Sequence, residues 1–310
     1  MLLILGVRGF EGSRVRRFEG SKVLSRLQCH VPELPEVEFV RRRLRRVMEG
    51  VRITHVDLRR PDLRGPLPSD FARRLEGQTV NRLTRRAKYL LAELSSGDVL
   101  LMHLGMSGSF RIVAPVAETP GRFRYDRSED DRHDHVAFQL SSGARVVFND
   151  PRRFGQMTIV AAGERPPGSV QALGPEPLSK TFDARVLARA LRGKKTSLKA
   201  ALSDQRVVAG LGNIYVSEAL HEARLSPTRP AGTLVTRAGE PREGAAALVT
   251  AIRRVLQKAI RQQARYRGDD DRFRVYDREG LRCQRRECPG RIRRIVQAGR
   301  STFYCPVCQR

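Results

Sequence analysis

The chain has 310 residues and carries 59 Lys+Arg against 33 Asp+Glu, a formal net charge of +26. A hydrophobic share of 40% excludes a wholly disordered polymer, and the length suffices for two or three domains with buried cores and no disulfide framework. The longest apolar run, residues 1–7, is far short of the ~18–20 residues of a membrane span, and an excess built from 52 Arg and only 7 Lys favours a phosphate-bearing polyanion over an anionic membrane surface.

Residues 1–31 hold an imperfect eight-residue repeat, 8–15 and 16–23, with neither strand alternation nor a helical stripe. The apolar stretch is too short for a signal peptide, and Glu11 and Glu19 count against an organellar transit peptide. The segment reads as an unstructured or non-native leader. Next, Val37, Val40, Leu44 and Val47 fall on one helical face, with Arg41, Arg42, Arg43, Arg45 and Arg46 on the others. Pro35 suits the first helical turn, and Glu36 and Glu38 suit its positive dipole end. Short apolar runs predict strands at 53–58, 89–94, 99–103, 110–113, 136–140, 145–148 and 157–160. With close Gly- and Ser-containing turns between them, they imply an antiparallel sandwich or barrel. A polar insertion occupies 116–134. Residues 161–180, with Pro166, Pro167, Pro175 and Pro177, read as a linker. Beyond it Leu248, Val249, Ile252, Val255, Leu256, Ala259 and Ile260 repeat with helical period. The expected fold is α+β and multidomain: a sheet domain at 32–160 with an N-terminal helix, a helical domain at 181–266, and a cysteine-bearing tail at 267–310.

In that tail Cys283-x4-Cys288 precedes Cys305-x2-Cys308 by sixteen residues. Two close pairs joined by a hairpin-length insert can bring four thiolates to one tetrahedral Zn2+. Two disulfides or ordinary buried thiols are the alternatives. No secretory signal points to an oxidising compartment, and core cysteines do not cluster at one end. Four ligands leave no open position, so the zinc is expected to be structural. The insert 291–304 carries Arg291, Arg293, Arg294 and Arg300 and reads as a basic β-hairpin pressed onto a phosphate backbone. Cys29 stands apart as a free thiol.

The block Pro32-Glu33-Leu34-Pro35-Glu36-Val37-Glu38 resembles the start of the formamidopyrimidine-DNA glycosylases, bacterial base-excision enzymes for oxidised purines. The likeness continues through Arg85-Arg86-Ala87-Lys88-Tyr89-Leu90-Leu91, His103-Leu104-Gly105-Met106-Ser107-Gly108 and His133-Asp134-His135-Val136. It then takes in Asp150-Pro151-Arg152-Arg153-Phe154-Gly155, Leu173-Gly174-Pro175-Glu176-Pro177-Leu178, Gly210-Leu211-Gly212-Asn213-Ile214-Tyr215 and the cysteine tail. One hexapeptide would be weak; the ordered series over 32–310 is specific. The resemblance implies a β-sandwich, a helix–two-turn–helix module and a zinc finger acting on damaged double-stranded DNA as a monomer in the bacterial cytoplasm, at the nucleoid.

By the same resemblance the amine of Pro32 is the nucleophile, forming an iminium with the sugar C1′ that drains electrons as the phosphates are eliminated. Glu33 matches the acid/base carboxylate; taken alone, Pro-Glu before a helix is an ordinary capping arrangement. Lys88 matches a phosphate-gripping lysine. The stretch from Lys199 to Asn213 matches the helix–two-turn–helix, in which Gly210 and Gly212 allow tight turns and Asn213 caps the next helix. Arg300 matches an arginine on the lesion-flanking phosphates. Met106, Arg152 and Phe154 match the residues that fill the hole left by an extruded base, although composition alone would assign Met106 and Phe154 to the core.

Three departures stand out. Pro32 is internal in this chain, and an amide nitrogen is no nucleophile. The expectation is therefore a start at Val31, read as formyl-methionine and removed, or trimming after Val31. From Pro32 onward 53 basic and 31 acidic residues remain, so the positive charge belongs to the folded part. The stretch 265–282 is short for the loop that covers an extruded purine and holds Asp269-Asp270-Asp271, which leaves an endonuclease-eight-like preference for oxidised pyrimidines as the alternative. Cys283-x4-Cys288 is wider than the usual x2. With the leader retained, the same residues would make a lesion-binding protein without catalysis; a zinc-stabilised transcriptional DNA binder would leave Pro32, Glu33 and the wedge trio without a role.

Overall fold

The computed structural model describes residues 31–113, 131–263 and 273–310. The leader, most of the polar insertion expected at 116–134 and the acidic cluster Asp269-Asp270-Asp271 lie outside the described residues.

Helix α1 (Leu34–Met48) takes Pro35 and Glu36 into its first turn. Val37, Val40, Leu44 and Met48 form its sandwich-facing line, with Met48 rather than Val47 continuing the 3.6-residue period. Two cores share this helix. Leu34 packs with Phe182, Leu198, Leu211, Tyr215 and Ile252, whereas Val37 to Met48 pack with Leu83, Leu90, Phe138 and Phe148. The residues that open α1 therefore lie at the junction of sheet and helical cores.

Strand β1 (Ile53–Leu58) and the short helix α2 (Phe71–Leu75) precede β2 (Val80–Arg86), β3 (Tyr89–Leu94), β4 (Val99–His103) and β5 (Ser109–Val113). Strands β6 (Asp134–Leu140), β7 (Arg145–Asn149) and β8 (Gln156–Val160) complete two antiparallel four-stranded sheets, ordered β1-β6-β7-β5 and β2-β3-β4-β8. The seven expected strands are present. Strand β2 has no counterpart among them because its buried Val80 and Leu83 are three apart: the register shifts between Val80 and Arg82, and that irregularity erases the period of two. Strand β6 begins at Asp134, two residues earlier than the apolar run, because the Asp134 carboxylate accepts a 2.8 Å hydrogen bond from Asn149 Nδ2 and pairs with Arg111.

The proline-rich segment after β8 contains one helical turn, α3 (Gly168–Gln171). Helix α4 (Ala184–Leu191) is capped by Asp183 accepting from the Val186 amide at 2.8 Å, and α5 (Leu198–Ser203) by Ser197 accepting from Ala200 at 3.3 Å. Helices α6 (Asn213–Glu222) and α7 (Glu243–Gln263) pack against each other, the latter burying Leu248, Val249, Ile252, Leu256, Ala259 and Ile260. Strands β9 (Arg293–Gln297) and β10 (Arg300–Tyr304) form the expected hairpin. Its tip residues Ala298 and Gly299 both have positive φ, 48° and 71°, the two-residue turn whose twist matches the strands. Phe303 faces inward, its ring 5.1 Å from that of Tyr276. Among the described residues no helix is long and apolar enough to cross a membrane.

Candidate active site

Pro32 and Glu33 precede α1 by two residues and one, and both are buried. The Glu33 carboxylate reaches across to the first turn of α6, where it accepts from the amides of Gly212 at 2.9 Å, Ile214 at 2.9 Å and Tyr215 at 3.3 Å. The expected cap is corrected here: Asn213 is inside the helix, and a carboxylate from the residue before α1 occupies the amides it was expected to leave for phosphate. An acid fits there because helix N-termini present unpaired N–H groups and positive potential. Asn213 instead donates Nδ2 to the Ser301 carbonyl at 2.8 Å, tying α6 to the β9–β10 hairpin. Gly212 is required by the approach, since a Cβ there would lie 2.4 Å from Glu33 Cδ.

Burial pushes the Glu33 carboxyl up to about 7, with the neighbouring Glu36 adding to the rise and the charge on Lys88 and the amides of Ile214 and Tyr215 opposing it. Its own amide donates to Glu36 Oε2 at 3.0 Å, while Tyr215 donates its hydroxyl to Glu36 Oε1 at 2.6 Å. Lys88 and Lys199 both have lowered ammonium pKa values, burial being the main cause, the charge on Arg300 contributing and Glu33 opposing. The structure thus gathers Glu33, Lys88, Lys199 and Arg300 into one electrostatic neighbourhood from four separate elements. An acid able to carry a proton at neutral pH stands among three cations.

Lys88 is presented by the β2–β3 turn, where Ala87 adopts φ 53°. That turn is held by Glu176, from the segment expected to be a linker. Its carboxylate accepts from the Ala87 amide, from Arg85 Nη1 and Nη2 at 3.1 Å and from Arg86 Nη1 at 3.2 Å. Arg86 also donates to the carbonyls of Leu173 at 2.9 Å and Gly174 at 2.6 Å. Gly174 in turn donates to Gln205 O at 2.8 Å, and the Gln205 side chain bonds Gly210 and Leu211. The segment is consequently a buttress between the lysine turn and the Glu33 pocket. Sequence reasoning missed this: Arg85 and Arg86 are spent inside the protein, and the available signal was an acid between two prolines, Pro175-Glu176-Pro177.

Met106, Arg152 and Phe154 sit in two turns that touch, the β4–β5 turn and the β7–β8 turn. Gly105 makes this possible, because a Cβ there would fall 2.3 Å from the Phe154 carbonyl carbon and oxygen. Buried Asp150 binds the Ser107 hydroxyl and accepts from the Gly155 amide at 2.7 Å, while Arg152 N donates to Ser107 Oγ at 3.1 Å. Phe154 is 39% exposed and lies under the Arg152 guanidinium, 5.2 Å from its ring centroid. A large aromatic left in water by a rigid turn is suited to filling a gap in a base stack. Phe154→Ala is expected to leave the thermal midpoint nearly unchanged, as for other exposed positions. Base excision should fall by about 10- to 100-fold, matching the ~1–3 kcal/mol of one base–aromatic stack; single-turnover excision beside a melting curve measures both.

Cys283, Cys288, Cys305 and Cys308 place all four Sγ atoms within 4.8 Å of one another, with Cys283–Cys308 at 3.8 Å and Cys288–Cys305 at 3.6 Å. Four thiolates about 2.3 Å from one zinc stand roughly 3.8 Å apart, so the set fits a tetrahedral Zn2+ and none of the pairs is bonded as a disulfide. On α6, buried Glu218 accepts from the consecutive amides of Arg274, Val275 and Tyr276 at 2.8–2.9 Å, fastening the approach to the cysteines.

Family models match in chain order: the formamidopyrimidine-DNA glycosylase N-terminal domain over 31–157, its H2TH domain over 173–268, and the zinc finger found in FPG and IleRS over 280–310. The formamidopyrimidine-DNA glycosylases of Bradyrhizobium sp. (strain ORS 278) and Rhodopseudomonas palustris (strain BisA53) are each 59% identical, over 90% of this chain and 100% of their own length. Among solved structures, the MutM (Fpg) protein from Thermus thermophilus is 39% identical with a TM-score of 0.72, over 90% of this chain and 98% of that one. The Lactococcus lactis Fpg bound to an abasic-site-containing DNA is 31% identical with a TM-score of 0.75, over 90% and 100%. With three domain models in register and relatives matched over their whole length, the chain belongs to the formamidopyrimidine-DNA glycosylase family.

Proposed function

We propose that this protein is a bifunctional base-excision enzyme that removes oxidised purines, 8-oxoguanine and formamidopyrimidines, from duplex DNA and then cleaves at the resulting abasic site. The observation that carries the reading is the Glu33 carboxyl, buried beside Pro32 with its pKa near 7 and surrounded by Lys88, Lys199 and Arg300. The Pro32 amine, freed of residues 1–31, attacks C1′ while the damaged base leaves with its bonding pair. The amine loses its proton and the ring oxygen departs, giving an iminium. That iminium accepts the electrons of the adjacent C–H bond, and the 3′ and then the 5′ phosphate leave. Glu33 handles the proton on the ring oxygen, and Lys88, Lys199, Asn213 and Arg300 hold the backbone of the flipped nucleotide. Met106, Arg152 and Phe154 fill the vacated stack. An α-amino group with a reference pKa of ~7.7–8.0 is partly neutral near pH 7, and so nucleophilic.

One Zn2+ on Cys283, Cys288, Cys305 and Cys308 supplies structure, holding the hairpin that carries Arg300. The protein acts as a monomer in the cytoplasm, on nucleoid DNA. Duplexes carrying 8-oxoguanine, formamidopyrimidine or oxidised pyrimidine, offered to a chain beginning at Pro32, test the substrate class. Excision of the two purine lesions faster by at least about 10-fold is expected; a preference for the pyrimidine lesion would transfer the chain to the endonuclease-eight type of activity.

A further inference from the structure

The widened spacing Cys283-x4-Cys288 has a structural counterpart on α6. Arg285, inside that loop, sends Nη2 to the His221 carbonyl at 2.7 Å and to the Glu222 carbonyl at 3.3 Å, the last residues of the helix. The His221 carbonyl also accepts from the Arg224 amide at 3.1 Å, and both carbonyls lie at the negative end of the dipole, so a guanidinium suits them as a further cap. In the opposite direction, the His221 side chain leaves α6 and brings Nε2 within 3.4 Å of Cys283 Sγ. His221 is 3% exposed, and its Nδ1 meets no partner among the described residues. A proton on Nδ1 would be a buried donor without an acceptor, and a bare Nε2 would face an anionic sulfur. The tautomer with the proton on Nε2 avoids both, leaving only an unfilled acceptor.

We propose that His221 and Arg285 form a reciprocal clasp between the zinc knuckle and α6, in which His221 donates Nε2–H to the Cys283 thiolate and Arg285 caps the helix in return. Zinc held by four thiolates carries a net charge of −2 in a partly buried site, and each outer donor lowers that density and slows ligand loss. The same helix receives Glu33 at its N-terminus and binds the hairpin through Asn213, so the clasp closes its free end. Zinc occupancy is thereby coupled to the helix on which the Glu33 pocket is built. His221 is a positioning residue here and touches neither substrate nor metal. The inference rests on the zinc centre alone and stands whichever lesion the protein removes.

The test follows zinc release from the purified holoprotein to EDTA, together with the thiolate-to-metal charge-transfer band of the cadmium-substituted protein. His221→Phe is expected to release zinc about 10- to 100-fold faster and to shift the band to lower energy, because an uncapped thiolate is the better electron donor. His221→Gln, which keeps an N–H donor, should recover most of both. Arg285→Ala should release zinc faster without moving the band, since the side chain touches no sulfur and the substitution keeps the backbone amide that Arg285 turns to Cys283. If His221→Phe does not fold, His221→Gln against wild type and Arg285→Ala read the two halves separately. Release and band both unchanged in His221→Phe, or His221→Gln as leaky as His221→Phe, or Arg285→Ala releasing zinc at the wild-type rate, would overturn the clasp.

Discussion

A chain beginning at Pro32 will be trapped covalently on an abasic-site duplex by borohydride, and the 310-residue chain will not. The argument is one of bonding. In the longer chain the Pro32 nitrogen belongs to a tertiary amide, its lone pair delocalised into the carbonyl and no hydrogen left to lose. As a chain terminus it becomes a secondary amine with a reference pKa of ~7.7–8.0, so a useful share is neutral near pH 7. The family model begins at residue 31, and relatives are matched over their full length by 90% of this chain. Removing an enzyme's nucleophile costs on the order of 10⁴- to 10⁶-fold in rate, so the contrast is close to all-or-none. Intact mass of each preparation is the control. An adduct formed by protein still carrying residues 1–31 would show that the covalent chemistry runs through another amine, and Lys88 and Lys199 are the residues to substitute next.

Glu33→Gln should reduce base excision by about 10²- to 10⁴-fold, the usual contribution of a positioned acid or base, and should also remove a limb from the pH profile. Burial raises the Glu33 carboxyl from 4.5 to about 7, so the protonated form survives to neutral pH. A step that draws a proton from it runs fastest below about 7 and declines as pH rises through that value. The Gln variant has no proton to lose, and its slow residual rate should be level through the same window. Because Glu33 also caps α6 through three amides, the thermal midpoint is measured alongside; glutamine still offers one oxygen to those donors. A decline at the same pH in Glu33→Gln would assign the titration elsewhere. His103 is a poor substitute, since burial and the charges on Lys88 and Arg64 hold it near 4.

Arginine does not divide in the structure as its numbers suggest. Arg85 and Arg86 serve Glu176, Arg41 and Arg42 serve Glu38, and only part of the excess is left for a nucleic acid. Burial pushes Glu38 up, but the hydrogen bonds from Arg41 and Arg42 outweigh it and bring it to about 2. Sequence reports net charge and says nothing of which guanidinium is already engaged.

The short apolar runs of the strands, the helical stripe of α7 and the cysteine spacing are local patterns, each complete within about 30 residues, and they were legible because burial marks neighbouring positions along one element. The ordered motifs likewise announced the family and the zinc. Contacts between distant segments were not legible: Glu33 at the amides of α6, Glu176 under the Lys88 turn, Asp150 joining the two wedge turns, Arg285 at the far end of α6. Each joins groups between 43 and 182 residues apart in the chain. Periodicity carries information only along one element, whereas a buried carboxylate finds its donors wherever packing brings unpaired amides together. The sequence by itself determined which chemistry is present; tertiary structure decided which acid holds a proton at neutral pH and which arginines remain free for DNA.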